Sequence, residues 1–265
     1  MKSIMLLVHN DAGHESRLQC ALDIVRAVEG RLVGLSVLRP AILADGLGMT
    51  YAQNAIILDD PCEEEALRAQ LTERFAKEAV PCQWIMSSET IEQAIMDNAG
   101  LSDLVVVSRE GIASSYEAVD LPALVAMKSG TALMVVPPGQ SGLDLFGRAM
   151  VAWDGSDTAE KAVRAAAPLL AHAQQVDIVT IDSKGCSADG EEVARYLASH
   201  DCGVEIHRIA PSGDTGAQLL AVMHDLGAQW AVAGCYGHSR LREHAFGGVT
   251  RTLAVRSPIP LLIAH

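Results

Sequence analysis

The sequence predicts an α/β protein made of two tandem copies of one doubly wound, parallel-sheet unit. Three observations predict it. Short β-rich apolar runs alternate with helical patterns along the 265 residues, and strand–helix alternation calls for right-handed crossovers, a parallel sheet and helices on both faces. The runs are almost continuously apolar, as strands buried on both sides require. The second half of the chain also repeats the first.

Residues 4–8 (IMLLV) form the first strand, and Leu18, Ala21, Leu22, Val25 and Val28 mark the helix after it. Arg39 to Cys62 holds Pro40, Gly46, Gly48 and Pro61 with little periodicity, and reads as a long loop of the functional or mobile kind. Glu63-Glu-Glu65 then supplies favourable first-turn charge to a helix. Asp103–Ser108 (DLVVVS) and Ser129–Val136 (SGTALMVV) end the first half. Pro137-Pro-Gly-Gln-Ser-Gly142 continues neither strand nor helix, which sets the units at 1–138 and 145–265. In the second unit, strands are expected over 149–153, 176–181, 204–209, 230–233 and 260–264. Helices are expected over 157–173, 189–200, 214–226 and 247–256. Residues 149–156 (AMVAWDGS) repeat the opening strand and turn, with His9 opposite Asp154. Gln229–Gly234 and Ser257–Ala264 repeat the two closing runs. The offset falls from about 145 to about 127, so the first half carries roughly 18 extra residues in its middle.

Composition removes several function classes. Lys and Arg number 20 against 33 Asp and Glu, a net charge of −13 that repels phosphodiester backbones, and aromatics at 4% leave few platforms for stacking bases. Nucleic acid is therefore not expected as a partner. No apolar run reaches the roughly 18 residues of a membrane span, and the five-residue apolar run near the N-terminus is too short for a secretory signal core. Cys20, Cys62, Cys82, Cys186, Cys202 and Cys235 form no C-x-x-C pair and read as reduced thiols of a cytoplasmic protein. Neither the pair His9 and His14 nor the pair His238 and His244 has metal-ligand spacing, so these read as surface or loop histidines and no metal is assigned. No Ser-His-Asp set or G-x-S-x-G elbow stands out, and no catalytic residue is assigned.

The most informative stretch runs from Gly234 through Gly237 to Gly247-Gly248-Val249-Thr250, leaving the fourth strand of the second unit and entering its last helix. Glycines at 234 and 237 permit a tight exit turn, while Gly247 and Gly248 let backbone approach a ligand at a helix N-terminus, where open amides favour phosphate. Thr250 can add a hydroxyl donor. The competing reading is a glycine turn that only lets the helix pack close to the sheet. Cys235, inside the loop, reads as an inert thiol.

The spacing G-x2-G-x9-G, closed by Gly-Val-Thr and a Ser-Pro-x-Pro strand, resembles the universal stress protein family, as does Trp153-Asp-Gly-Ser156. The resemblance implies strand order 3-2-1-4-5 in each unit and, in some members, ATP or a related adenine nucleotide. It carries Asp154 to the ribose or adenine region and Ile181 to the adenine border. Gly234 and Gly237 become the loop glycines, and Gly247, Gly248, Val249 and Thr250 the phosphate-facing helix start. The family's motif has Ser or Thr where this chain has Gly248, which removes one hydroxyl but keeps the amide. Arg240 and Arg242 offer positive charge in the loop, though each alone is better read as a solvated arginine. A shift of about 127 sets Val107, Glu110, Asp120 and Leu121 opposite the four glycines, so the first unit reads as a degenerate partner. The expected function is a nucleotide-binding stress-response sensor or regulator. The alternatives are a ligand carrier or interaction module of the same fold, and a slow ATP hydrolase. The apolar last strands would be exposed edges, so the units are expected to pack through them as an internal pseudo-dimer, with homodimers of the whole chain a further expectation.

Overall fold

Every residue of β1 (Ser3–Val8) is buried, because the strand lies inside a sheet covered on both faces. The computed structural model describes residues 1–38, 40–41, 56–57, 60–109, 125–126, 128–181, 189–235 and 248–265. The first half continues with α1 (His14–Val28), β2 (Arg31–Val37), the short antiparallel pair β3 (Pro40–Ala41) and β4 (Ile56–Ile57), and α2 (Pro61–Lys77). It ends with β5 (Cys82–Ser87), α3 (Ile91–Asn98), β6 (Leu104–Ser108) and β7 (Ala132–Val136). The second half starts with β8 (Arg148–Ala152), α4 (Asp157–Leu170), β9 (Gln175–Ile181), α5 (Gly190–Ala198) and β10 (Val204–Ile209). It closes with α6 (Thr215–Leu226), β11 (Trp230–Gly234), α7 (Gly248–Arg256) and β12 (Leu261–Ala264). Side chains of Asp60, Thr90, Ser156, Asp189 and Asp214 cap α2 to α6 in turn, each accepting from a first-turn amide.

Ten strands form one sheet in the order β10-β9-β8-β11-β12-β7-β6-β1-β2-β5. Each half is a 3-2-1-4-5 arrangement with parallel pairings throughout. The halves meet where β12 runs antiparallel to β7, with Leu261 opposite Val135, Leu262 opposite Met134 and Ile263 opposite Leu133. The two last strands, which would be open edges in separate units, thus cover each other as an internal pseudo-dimer. Side-chain alternation sends Ile4, Leu6, Met134, Val151 and Leu262 to one face, under α1, α2, α4 and α5. Met5, Leu7, Leu133, Met150 and Ile263 go to the other, under α3, α6 and α7. Both cores run unbroken across the seam.

Two expectations change. Pro61 and Cys62 open α2 rather than end a loop, with Glu64 in its first turn as read and also buried. Its carboxylate lies 3.5 Å from His9 Nδ1 and accepts from Ser36 Oγ at 3.3 Å. The repeat register also shifts by one residue. Leu104 pairs with Ile4 as Trp230 pairs with Ala149, so Ser108, not Val107, stands where the second half has Gly234.

Candidate functional site

A doubly wound sheet opens its ligand crevice at strand C-terminal ends, where neighbouring strands send their chains to opposite sides. That point lies between β8 and β11 in the second half and between β1 and β6 in the first.

In the second half, Trp153 is still buried and its N–H donates to Val179 O at 2.9 Å, after which Asp154 emerges exposed. Gly155 takes a left-handed φ of 72° to make the turn. Asp154 Oδ1 accepts from Ser156 N at 3.0 Å and Ser156 Oγ at 2.6 Å, and Ser156 Oγ accepts from Ala159 N at 3.2 Å to cap α4. One strand over, β11 ends at Gly234, where a Cβ would stand 2.6 Å from Ala159 N and 2.9 Å from the backbone carbon of Thr158. Only glycine permits that approach of strand end to helix start. Thr250 is buried and donates its hydroxyl to Gly234 O at 3.1 Å, tying the first turn of α7 to β11. The hydroxyl expected to face a ligand thus has its one proton on Gly234 O. Gly248 and Val249 open α7 on the exposed side, and among the described residues a Cβ at Gly248 would meet nothing within 4 Å. Ile181 ends β9, partly exposed, and packs on the core beneath α6. The structure thus gathers the Asp154 turn, Gly234 and Thr250 around one crevice. Gly237, Gly247, Arg240 and Arg242 lie outside the described residues, as do Glu110, Asp120, Leu121, His238 and His244.

The matching point of the first half is filled by the chain itself. Arg17, fully buried in α1, uses all five of its N–H donors. Nε donates to Leu7 O at 2.6 Å; Nη1 to Asp11 Oδ1 at 2.9 Å and Ser108 Oγ at 2.6 Å; Nη2 to His9 O and Asp11 Oδ2, both at 2.8 Å. Burial pushes the Asp11 carboxyl up, but hydrogen bonds and charge from Arg17 outweigh it and hold the group below its ordinary value. Ser108 Oγ donates onward to Gly13 O at 3.1 Å, and a Cβ on Gly13 would stand 2.7 Å from Ser108 Cβ. The same helix–strand contact exists in both halves, with its glycine on opposite sides: Gly13 against Ser108, Thr158 against Gly234. By the β1–β8 correspondence, Ala162 stands where the first half has Arg17.

His9 is buried, not a surface histidine, because the first turn of α2 brings Glu64 against it. Among the described residues, neither buried Nδ1, of His9 or of His14, has a hydrogen-bond partner. Burial, and then the charge of Arg17, lower the pKa of His14. Cys20 is buried with its thiol pushed up to about 12, and Cys202 is also buried and shifted upward, as inert core thiols should be. Cys235 is buried too, its N–H donating to Ala264 O and its carbonyl accepting from His265 Nδ1 at 2.7 Å.

Two 3-2-1-4-5 units fused antiparallel through their last strands, one switch point filled by the chain and the other opening on a crevice, define a tandem doubly wound α/β protein. No protein-family model matches the sequence, and no curated protein does. Solved structures match over the full length. A universal stress protein from Archaeoglobus fulgidus DSM 4304 superposes with a TM-score of 0.69 at 16% identity, covering 99% of this chain and 95% of that one. A functionally unknown protein from Pseudomonas aeruginosa PAO1 gives 0.62 at 12% identity, covering 100% and 92% of the two chains. A protein from Pseudomonas aeruginosa UCBPP-PA14, assigned to the universal stress proteins, gives 0.62 at 11%, covering 100% and 93%. The chain has the fold of the tandem universal stress proteins. Among the described residues no helix is long and apolar enough to cross a membrane.

Proposed function

We propose that this chain binds one adenine nucleotide, ATP or a relative, in its second half, and acts in the cytoplasm as a stress-response sensor or regulator rather than a catalyst. The units would be 1–138 and 145–265. The observation that carries the reading is the contrast between the two switch points. In the first, Arg17, Asp11 and Ser108 fill the space with a closed hydrogen-bond network. In the second, Ala162 replaces the arginine, and α7 begins with exposed Gly248 and Val249 at the crevice.

The described residues fit such a ligand. The nine-residue α7 turns its positive end and first-turn amides outward at Gly248, which suits a phosphate chain. Asp154, at the turn after β8, is an exposed acceptor already oriented by Ser156, which suits a ribose hydroxyl. Ile181 would border the base, and Gly237 and Gly247 would shape the loop between. A second reading, a carrier or interaction module, draws support from Thr250. With its hydroxyl given to Gly234, Thr250 offers phosphate no side-chain donor, and position 248 has no hydroxyl to offer one.

Calorimetry of the full chain with ATP tests the proposal. One site per chain is expected, weakened by Asp154→Ala and left in place by His9→Ala, whose cost falls on stability because His9 is buried. Two equivalent sites, or none, would overturn it, and the absence of any site would favour the second reading.

A further inference from the structure

Far from the crevice, β9 and its neighbour β10, the outermost strand of the sheet, bring three potential ligands to one face. Asp177 pairs directly with Glu205 in the parallel ladder, and His207 lies two residues on, so all three side chains project to the same side. One donor atom from each lies within 4.8 Å of the others. Two carboxylates directly opposed on one face repel each other and weaken a sheet. Asp177 is completely buried and compensated: His207 Nε2 meets Oδ1 at 2.8 Å, and Arg148 Nη1 reaches Oδ1 at 3.4 Å and Oδ2 at 3.2 Å. Glu205 has no ion pair among the described residues, and its charge is left facing the same spot.

We propose that Asp177, Glu205 and His207 form a binding site for a divalent transition-metal ion of the zinc class. One imidazole nitrogen and two carboxylate oxygens are a borderline-soft set that suits zinc, whereas calcium or magnesium wants more oxygens. The nitrogen turned toward Asp177, Nε2, is the one a metal would take, so the ion would sit between that nitrogen and the carboxylate. Two bonds of about 2.1 Å at a tetrahedral angle set those ligand atoms about 3.4 Å apart. The present 2.8 Å therefore has to open slightly, which a partly exposed side chain on an edge strand can do. The fourth position faces outward for water. Arg148 is the opposing element: it holds the Asp177 carboxylate but sets positive charge beside the ion. Its side chain is 39% exposed and can swing away.

The test is a titration of the full chain with zinc sulfate, followed by calorimetry. A Cys62→Ser background removes the exposed thiol as a competing ligand. One saturable site is expected. Glu205→Ala and His207→Ala should each weaken it at least tenfold, and Arg148→Gln should tighten it, an effect that a purely structural ion pair would not give. Should His207→Ala misfold, the exposed position 205 still decides. No saturable site, or a site indifferent to Glu205→Ala, overturns the proposal.

Discussion

Gly234 and Gly248 belong to one sequence motif yet answer different physical demands. At Gly234 an added methyl collides with the backbone of α4, so Gly234→Ala should cost about 1–3 kcal/mol, read as a lowered urea midpoint. At Gly248 no described atom crowds an added Cβ and φ is not left-handed, so Gly248→Ser should fold normally. If phosphate reaches this helix start, the new hydroxyl adds a hydrogen bond to charged oxygen worth about 1.5–3 kcal/mol, and ATP binding tightens roughly ten- to a hundredfold. AMP should gain little in the same calorimetry. Arg17 is the residue that sequence reading passed over. A charged side chain beside Leu18 on the apolar face of α1, six residues after Asp11, was the available signal, but burial of both partners is a tertiary fact. Arg17→Met would leave Asp11 charged and largely buried, at a cost of about 3–5 kcal/mol in denaturant unfolding. His14 adds a pH dependence. Its folded pKa lies below the ordinary 6.5, so its contribution is full above pH 6.5 and is lost as pH falls below that value. Asp11, also lowered, gives a second loss below about pH 3.8 as pH falls through its folded value. His14→Gln should flatten the first loss and leave the second.

At the scale of elements, the helix–strand contact built once with Gly13 and once with Gly234 predicts coupling. Gly13→Ala alone should destabilise the chain by about 1–3 kcal/mol, because Ser108 Cβ stands in its way. Adding Ser108→Gly moves the glycine to the side it holds in the second half and should recover part of that loss. A double-mutant cycle by urea unfolding reads the coupling, and strict additivity would contradict the contact. Legibility followed the same asymmetry. The second-half strands and helices were readable within a few residues, because periodicity, caps and glycines agree there. The first half lost the glycine signature, so its repeat register slipped by one residue. Glu64 does lie in the first turn of α2, as read, but its burial against His9 is a tertiary fact set by the return of α2 over the end of β1.

The whole molecule is held by the seam between β7 and β12. The prediction that the last strands meet was legible because apolar strands need cover, and the pairing itself gives the test. Cysteines placed at 134 and 262, opposed in the ladder, should crosslink within one chain at any dilution. Crosslinks formed only between chains would contradict the fold. The antiparallel sense of that seam has an electrical consequence. The strands of the two halves point in opposite directions, so the Arg17 network and the Asp154 crevice lie on opposite rims of the sheet. Four strand spacings of about 4.8 Å part them sideways as well, roughly 19 Å. Physiological salt screens exposed charge over about 8 Å, so a polyphosphate arriving at one rim is scarcely felt at the other. The molecule is an insulated pair: saturating the second half with ATP should leave the protonation of His14 and Asp11 where it was.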